Sequence, residues 1–420
     1  MISAIRELIN DPALSLYLLV IAYFWCQWTF KLILCGRYRP KRTHFDESIS
    51  VVMPVYNEDR TILFQAVSRV LAQPVSRVAE VIVVCDQREP DLPDWLNQNF
   101  ASDERMITTV GDTPGKRFSL RHGIEQSRCN VVVSIESDVL IRPDSLDELI
   151  KPFADSRIGG VIGDQEVHDP KRSLWTFLDF VCEKVKYGFT YPALSAASQV
   201  TVLSGRTVAY RRAAVFPLLE HLTHEIFLGK RCVSGDDGRM TSLLLEAGWL
   251  TFYQSTSVVE TISPSSMSAL LLQRTRWYRN TGRRTLRALF WDRLWVWRRY
   301  PLATWHMLSS WVNTFMVGLA FTLLGLSISS GHFFWFGNEY AEIAARVGVL
   351  MFGFLLTRMI RGLPAFGAIR RSRPGKHWWL LLALPFYLLM LWFVHLLAIV
   401  TMNKQGWITR TTQSPGGLGK

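Results

Sequence analysis

The sequence predicts an α/β domain built on a doubly wound parallel sheet and carried on membrane helices. Three observations lead there. Between residues 48 and 138, β-branched apolar runs alternate with helical patterns. Long apolar segments lie on both sides of that region, and basic residues gather in short blocks beside them.

The first strand is "SISVVMPV", closing near Pro54, and the Asn57-Glu58-Asp59 turn after it opens a helical pattern that runs to about Leu71. "EVIVVCD" is a second strand ending on Asp86, and "MITTV" a third. The turn "GDTPGKR" leads into a helix over 117–127, and "VVVSIESD" closes the series on Asp138. Ligands of such sheets sit outside the carboxyl ends of the strands, where Tyr56, Asp86 and Asp138 would meet. A carboxylate there can accept from a base or ribose, and the spaced pair Glu136 and Asp138 can hold a divalent ion against a diphosphate. Lys116, at a helix N-terminus, adds a cation and unpaired N–H groups suited to phosphate. Further on, "VLSGRTVAYRR" at 202–212 reads as strand, turn and strand.

Two stretches suit chemistry on an acceptor. "SGDDGR" sets Asp236 and Asp237 side by side before a helix starting near Arg239, though a helix start needs only one acidic cap. The basic amphipathic helix over 267–284 carries Gln273, Arg276 and Trp277 within about one turn. Trp277 there is either a membrane-interface residue or a flat face for a sugar ring, with glutamine and arginine for hydroxyl and pyrophosphate oxygens.

Of 420 residues, 49% are hydrophobic and 20% charged, an apolar balance that suits a soluble domain joined to membrane segments. The net charge of +12 lies in blocks at 36–42, 283–300 and 371–376 that flank apolar runs. A nucleic-acid binder would instead carry a basic stripe with stacking aromatics on its soluble face, so no nucleic acid partner is expected. Six cysteines without CxxC spacing indicate neither zinc nor a disulfide framework. The apolar segments Leu14 to Leu34, Leu302 to Ile328, Ala344 to Ile360 and Trp378 to Val400 approach the ~20 residues that a bilayer-spanning helix needs. The first lacks a small-residue cleavage site and reads as an anchor, and the basic block after it puts the following domain in the cytoplasm.

Taken in order, "PVYNED", the strand ending on Asp86, "GKR", the acidic pair ending on Asp138, "SGR" with "YRR", "GDD", "QRTRW" and "GWITR" at 406–410 resemble the membrane-embedded family 2 glycosyltransferases. Hyaluronan, chitin and rhizobial chitooligosaccharide synthases resemble it most, cellulose synthases less. The resemblance implies a GT-A (Rossmann-like) fold, a UDP-sugar donor, Mg2+ or Mn2+, and an inverting, processive transfer to a growing glycan. It places Tyr56, Glu58 and Asp86 at the uridine, Lys116 at the diphosphate and Asp138 on the metal, with Glu136 replacing the usual first aspartate. Asp237 becomes the general base, with Asp236 tuning it or capping the helix. Gln273, Arg276 and Trp277 fall at the acceptor and diphosphate end, and Trp407 and Arg410 on a gating loop. Gly238 is a departure, because hyaluronan synthases commonly carry arginine directly after the aspartates.

The expected organisation is an anchor and basic flank over 1–42, a cytoplasmic GT-A domain over 43–267, and basic interfacial helices over 268–300. Two transmembrane helices over 301–377, an interfacial or re-entrant element over 378–402 and a cytoplasmic gating tail over 403–420 follow. Pro385 would interrupt a helix and so favours the re-entrant reading of 378–402. Few membrane helices leave room for a homodimer or a secretion partner in an inner-membrane, multi-pass enzyme. A non-processive transferase making a lipid-linked sugar or short oligosaccharide is the alternative.

Overall fold

The computed structural model describes residues 12–74, 76–290, 298–329 and 382–404, together with Thr357, Ile360 and Phe366. The third apolar segment apart from Thr357 and Ile360, the start of the fourth and the tail with Trp407 and Arg410 lie outside the described residues.

The predicted alternation is present. Helix α1 (Pro12–Arg37) precedes strands β1 (Ile49–Val55), β2 (Val78–Cys85), β3 (Met106–Val110) and β4 (Val131–Ile135), which are joined in turn by α2 (Arg60–Leu71), α3 (Leu92–Phe100) and α4 (Lys116–Gln126). Asp59 caps α2 by accepting from the N–H groups of Thr61 and Ile62, which is why the helix begins where the turn residues end. β1 is parallel to both β2 and β4, and β3 is parallel to β2.

The sheet is mixed rather than wholly parallel. β5 (Val139–Ile141), β6 (Ile158–Val167), β7 (Thr207–Arg211) and β10 (Leu250–Thr261) complete the order β3-β2-β1-β4-β7-β6-β10-β5. β7 runs antiparallel to both β4 and β6, and β5 antiparallel to β10. Of the expected pair of strands within 202–212, only β7 forms. A two-stranded ribbon, β8 (Ile226–Phe227) with β9 (Lys230–Arg231), stands apart.

Both faces of the sheet are buried. One packs Val51, Met53, Val81 and Val83 against α2 and α3, and the other packs Val52, Ile82, Val84 and Val132 against Leu120 and Ile124 of α4. Gly123 of α4 has no room for a side chain, since a Cβ would lie 2.3 Å from Val52 Cγ1. Close approach of helix to sheet fixes where the first turn of α4 meets the strand ends.

The longer helices that follow are α5 (Leu174–Val185), α6 (Asp236–Glu246), α7 (Met267–Phe290), α8 (Pro301–Ser329) and α9 (Leu384–Val400). Leu178 of α5, Leu270 of α7, and Tyr387 and Leu391 of α9 form one cluster, so α7 lies between the sheet domain and an apolar helix. α1 packs on α8 through Tyr17, Val20, Phe24, Val317 and Leu323. Polar contacts join α8 to both neighbours: Gln27 of α1 donates to Asn313 (3.2 Å) and Trp392 of α9 donates to the Thr314 carbonyl (2.8 Å). Pro385 does not break α9. It sits in the first turn, where a missing amide donor costs nothing.

Candidate active site

β1, β2 and β4 deliver their carboxyl-terminal residues to one cleft, lined by Tyr56, Asp86, Arg88, Lys116, Glu136 and Ser137. Asp86 is nearly inaccessible and is gripped by Arg88, with Nε donating to Oδ1 at 2.7 Å and Nη2 to Oδ2 at 2.8 Å. That bidentate bond holds the Asp86 carboxyl below its ordinary range. The same guanidinium lies 3.9 Å from the centre of the Tyr56 ring. Glu58 reaches the acidic turn from the far side, accepting from Ser137 Oγ at 2.7 Å.

Lys116 opens α4 behind Gly115, whose φ of +120° is open to glycine and strained for any residue with a side chain. Its Nζ pairs with Glu136 and lies 3.3 Å from Asp236. Burial opposes its charge, but the two acids outweigh burial and raise the Lys116 pKa. Gly205 completes the contact, because a Cβ there would lie 2.9 Å from Lys116 Nζ. Asp138 is half-buried in the tight turn between β4 and β5.

The paired aspartates occupy the first turn of α6, and their surroundings differ. Gly235 is the cap residue, left-handed at φ +83°, and no side chain caps the helix, so the expected capping by Asp236 is not found. Asp236 is buried against Lys116 instead. Asp237 accepts from the N–H of Gly238 at 2.7 Å. Burial, then the charge of Asp236, raises its pKa above the ordinary aspartate range, with Lys116 pulling the other way. A carboxylate biased towards taking a proton thus sits beside one committed to an ion pair.

Trp277 forms the third side. Arg274, Arg206 and Lys186 lie 4.5, 5.4 and 5.7 Å from its ring centre. Their charges are balanced by two fully buried acids of α5. Arg274 pairs with Asp179 and, at 3.5 Å, with Glu183, while Lys186 and Arg206 lie 3.5 and 3.6 Å from Glu183. Burial opposes the charge of Glu183, but Lys186, Arg206 and Arg274 outweigh it and bring its pKa down to about 2. Lys186 begins a π-helical turn, Lys186–Thr190, that follows α5 and swings its side chain over Tyr187 and Tyr191 as well. Gln273 Oε1 is buried with no hydrogen-bond partner among the described residues. Arg276 lines a second cavity of about 150 Å³, shared with Ser234, Arg279, Asn280, Arg283 and Lys404.

Residues 46–280 match the family described as Glycosyltransferase like family 2, more than half of the chain. The chain belongs to glycosyltransferase family 2. It is 30% identical over 244 residues to an N-acetylglucosaminyltransferase of Azorhizobium caulinodans, covering 57% of this chain and 61% of that protein. It is 28% identical over 263 residues to a hyaluronan synthase of Streptococcus pyogenes, covering 61% and 62%. The match therefore spans about three fifths of the length of these relatives. A solved mannosyltransferase of Pyrobaculum calidifontis, in complex with GDP-Man and Mn2+, shares the GT-A fold at a TM-score of 0.61 and 16% identity, over 92% of this chain and 98% of that one.

Within this family 2 member, the structure brings Tyr56, Glu58, Asp86, Lys116, Glu136 and Asp138 to the strand ends and links them to Asp236 through Lys116. Gln273, Arg276 and Trp277 all lie on α7, with Arg276 lining the second cavity. Sequence reasoning missed Arg88, Lys186, Asp179 and Glu183. Arg88 had a usable signal, because an arginine two residues after a strand-end aspartate can fold back on it.

Proposed function

We propose that this chain transfers sugar from a UDP-sugar, with inversion, to a growing β-linked glycan at the cytoplasmic face of the inner membrane. The observation that carries this reading is Asp237. Its carboxylate, raised in pKa and fixed in the first turn of α6, stands beside the Lys116 cluster and is coupled electrostatically to Lys186, which lies over Trp277.

In that reading the uracil and ribose lie against Tyr56, Glu58 and Asp86, and Lys116 faces the diphosphate. The acceptor sugar rests on Trp277. Asp237 takes the proton of the acceptor hydroxyl as that oxygen bonds to the anomeric carbon, and the bond from that carbon to the diphosphate oxygen breaks with its electron pair leaving on UDP. Attack from the face opposite the leaving group gives a β-linked product from an α-linked donor.

The donor set suits a hard divalent cation. Asp138 and phosphate oxygens are oxygen ligands, and no group of three or more His, Cys, Asp or Glu among the described residues could hold a metal alone, so such an ion needs the donor to complete its shell. Asp138 would hold Mg2+ or Mn2+, with Glu136 committed to Lys116. Bound there, the ion would neutralise charge developing on the leaving diphosphate.

Among the described residues one helix, Ser15–Arg37, is long and apolar enough to cross a membrane, and α9 is a shorter apolar helix. Basic blocks beside apolar segments support membrane residence with the GT-A domain in the cytoplasm. The likeness of "GWITR" to the gating loop of the family supports a role for Trp407 and Arg410 in closing over bound donor. A homodimer or separate secretion partner would supply any further channel.

Membranes containing the full chain, incubated with single and paired UDP-sugars and Mg2+ or Mn2+, test this. Labelled product of high mass is expected. Product confined to a lipid extract as one or a few sugars would identify the non-processive alternative, and transfer only from GDP-sugars would overturn the donor.

A further inference from the structure

Arg284 of α7 approaches the first turn of α6 where the chain has no side chain. A Cβ built on Gly238 would lie 3.3 Å from Arg284 Nη1 and 3.6 Å from its Cδ, so the guanidinium lies against the residue that follows Asp237. Nη1 donates to the Thr201 carbonyl at 2.7 Å, which anchors the group. Nε is buried and has no hydrogen-bond partner among the described residues. Burial works against this arginine's charge, and Asp237 is the first of the charges that favour it. The acids facing Asp237 are Asp236 and Glu136, and the cations are Lys116, Lys186 and Arg284, with Tyr191 and Tyr210 also near. Lys116 is engaged with Glu136 and Asp236, and Lys186 with Glu183. Arg284 makes no ion pair with a carboxylate within 4.0 Å among the described residues, which leaves its charge to act on Asp237.

We propose that Arg284 is a positioning residue for the base: admitted by the bare backbone of Gly238, its guanidinium places a cation at the first turn of α6 that favours the ionised form of the Asp237 carboxylate. This rests on the reading of Asp237 as the base. Charge supplied from α7 replaces charge that could otherwise come from residue 238 itself, so the two positions are interchangeable in principle. Gly238 has an ordinary backbone conformation, and its nearest neighbour is the flexible end of Arg284, so a side chain fits there once Arg284 is shortened.

The test is the pH dependence of kcat in membranes containing the full chain, with whichever UDP-sugar the wild type uses. Arg284→Gln should move the acid limb up by about one pH unit while the donor KM stays within about twofold, because a nearby cation shifts a carboxylate by that much or more. Arg284→Lys should keep the wild-type limb. Gly238→Arg combined with Arg284→Ala should return the limb towards the wild-type position, whereas Gly238→Arg alone, which crowds two guanidiniums, should lower kcat. A limb unmoved in Arg284→Gln, or a rate reduced equally at every pH and not restored by the double variant, overturns the proposal. Should Arg284→Gln fail to reach the membrane, Arg284→Met carries the same comparison. Full activity of Asp237→Asn would contradict the base assignment, an outcome separable from an unmoved limb in Arg284→Gln.

Discussion

The two halves of the site are built by different means. The donor half stands at the ends of parallel strands, where β1, β2 and β4 bring Tyr56, Asp86 and Glu136 together whatever the helices do. The acceptor half is assembled from helix faces: α5 gives Asp179 and Glu183, α6 gives Asp237, and α7 gives Arg274 and Trp277. One half is fixed by backbone pairing, the other by buried charge. The donor half should therefore survive changes that disable or unfold the acceptor half.

On the donor side the largest effect should come from the metal. Asp138→Asn, or excess chelator, should lower transfer by about 1,000-fold or to background, the scale of several kcal/mol of lost charge stabilisation. Full rates in chelator would remove the metal from the account.

Glu183→Gln would sharpen the contrast from the other side. It leaves Lys186, Arg206 and Arg274 without their shared counter-charge and should cost about 3–5 kcal/mol of stability, read as a lower denaturation midpoint in detergent. Because the folded pKa of Glu183 is lowered to about 2 against an ordinary 4.5, its stabilisation is complete above pH 4.5 and is lost as pH falls towards 2. Glu183→Gln should therefore lose most at neutral pH. An unchanged midpoint there would mean the cluster does not hold this half together.

Asp237 has the opposite sign. Its folded pKa is raised, so the native state holds the proton more tightly, and relative stability falls as pH rises through the interval between the unfolded and folded values. Transfer, which needs the ionised base, should fade as pH falls through that same raised value, with the acid limb of kcat above the ordinary aspartate range.

The smallest effect concerns Arg88. Its guanidinium covers the Tyr56 ring and both oxygens of Asp86, the groups that a uracil would use. Arg88→Ala should lower the donor KM by about fivefold with kcat unchanged, the sum of a half-exposed ion pair and a cation–π contact. A raised KM would show instead that Arg88 holds the donor.

The same difference governs what could be read from the residues. Strand periodicity and strand-end acids made β1 to β4 and the donor half legible, down to Lys116 at the start of α4. The antiparallel entry of β7 was not legible, because a buried strand such as "TVAYR" looks the same in either direction. Asp179, Glu183 and Lys186 read as ordinary helix charges, since nothing in their spacing tells a buried ion network from a solvated face. Pro385 misled for a local reason: a proline breaks a helix only where an amide is needed, and it lies in the first turn of α9.

The most direct test of the account is one substitution read in two ways. Asp237→Asn keeps the shape of the side chain but cannot take a proton, and it removes an ionised group that burial disfavours. UDP binding with Mg2+ or Mn2+ should stay within about twofold of wild type and the denaturation midpoint should hold or rise, while transfer falls by about 100- to 10,000-fold. Asp237→Asn protein that transfers sugar normally, or that loses UDP binding together with transfer, would contradict the division between a strand-built donor half and a helix-built catalytic half.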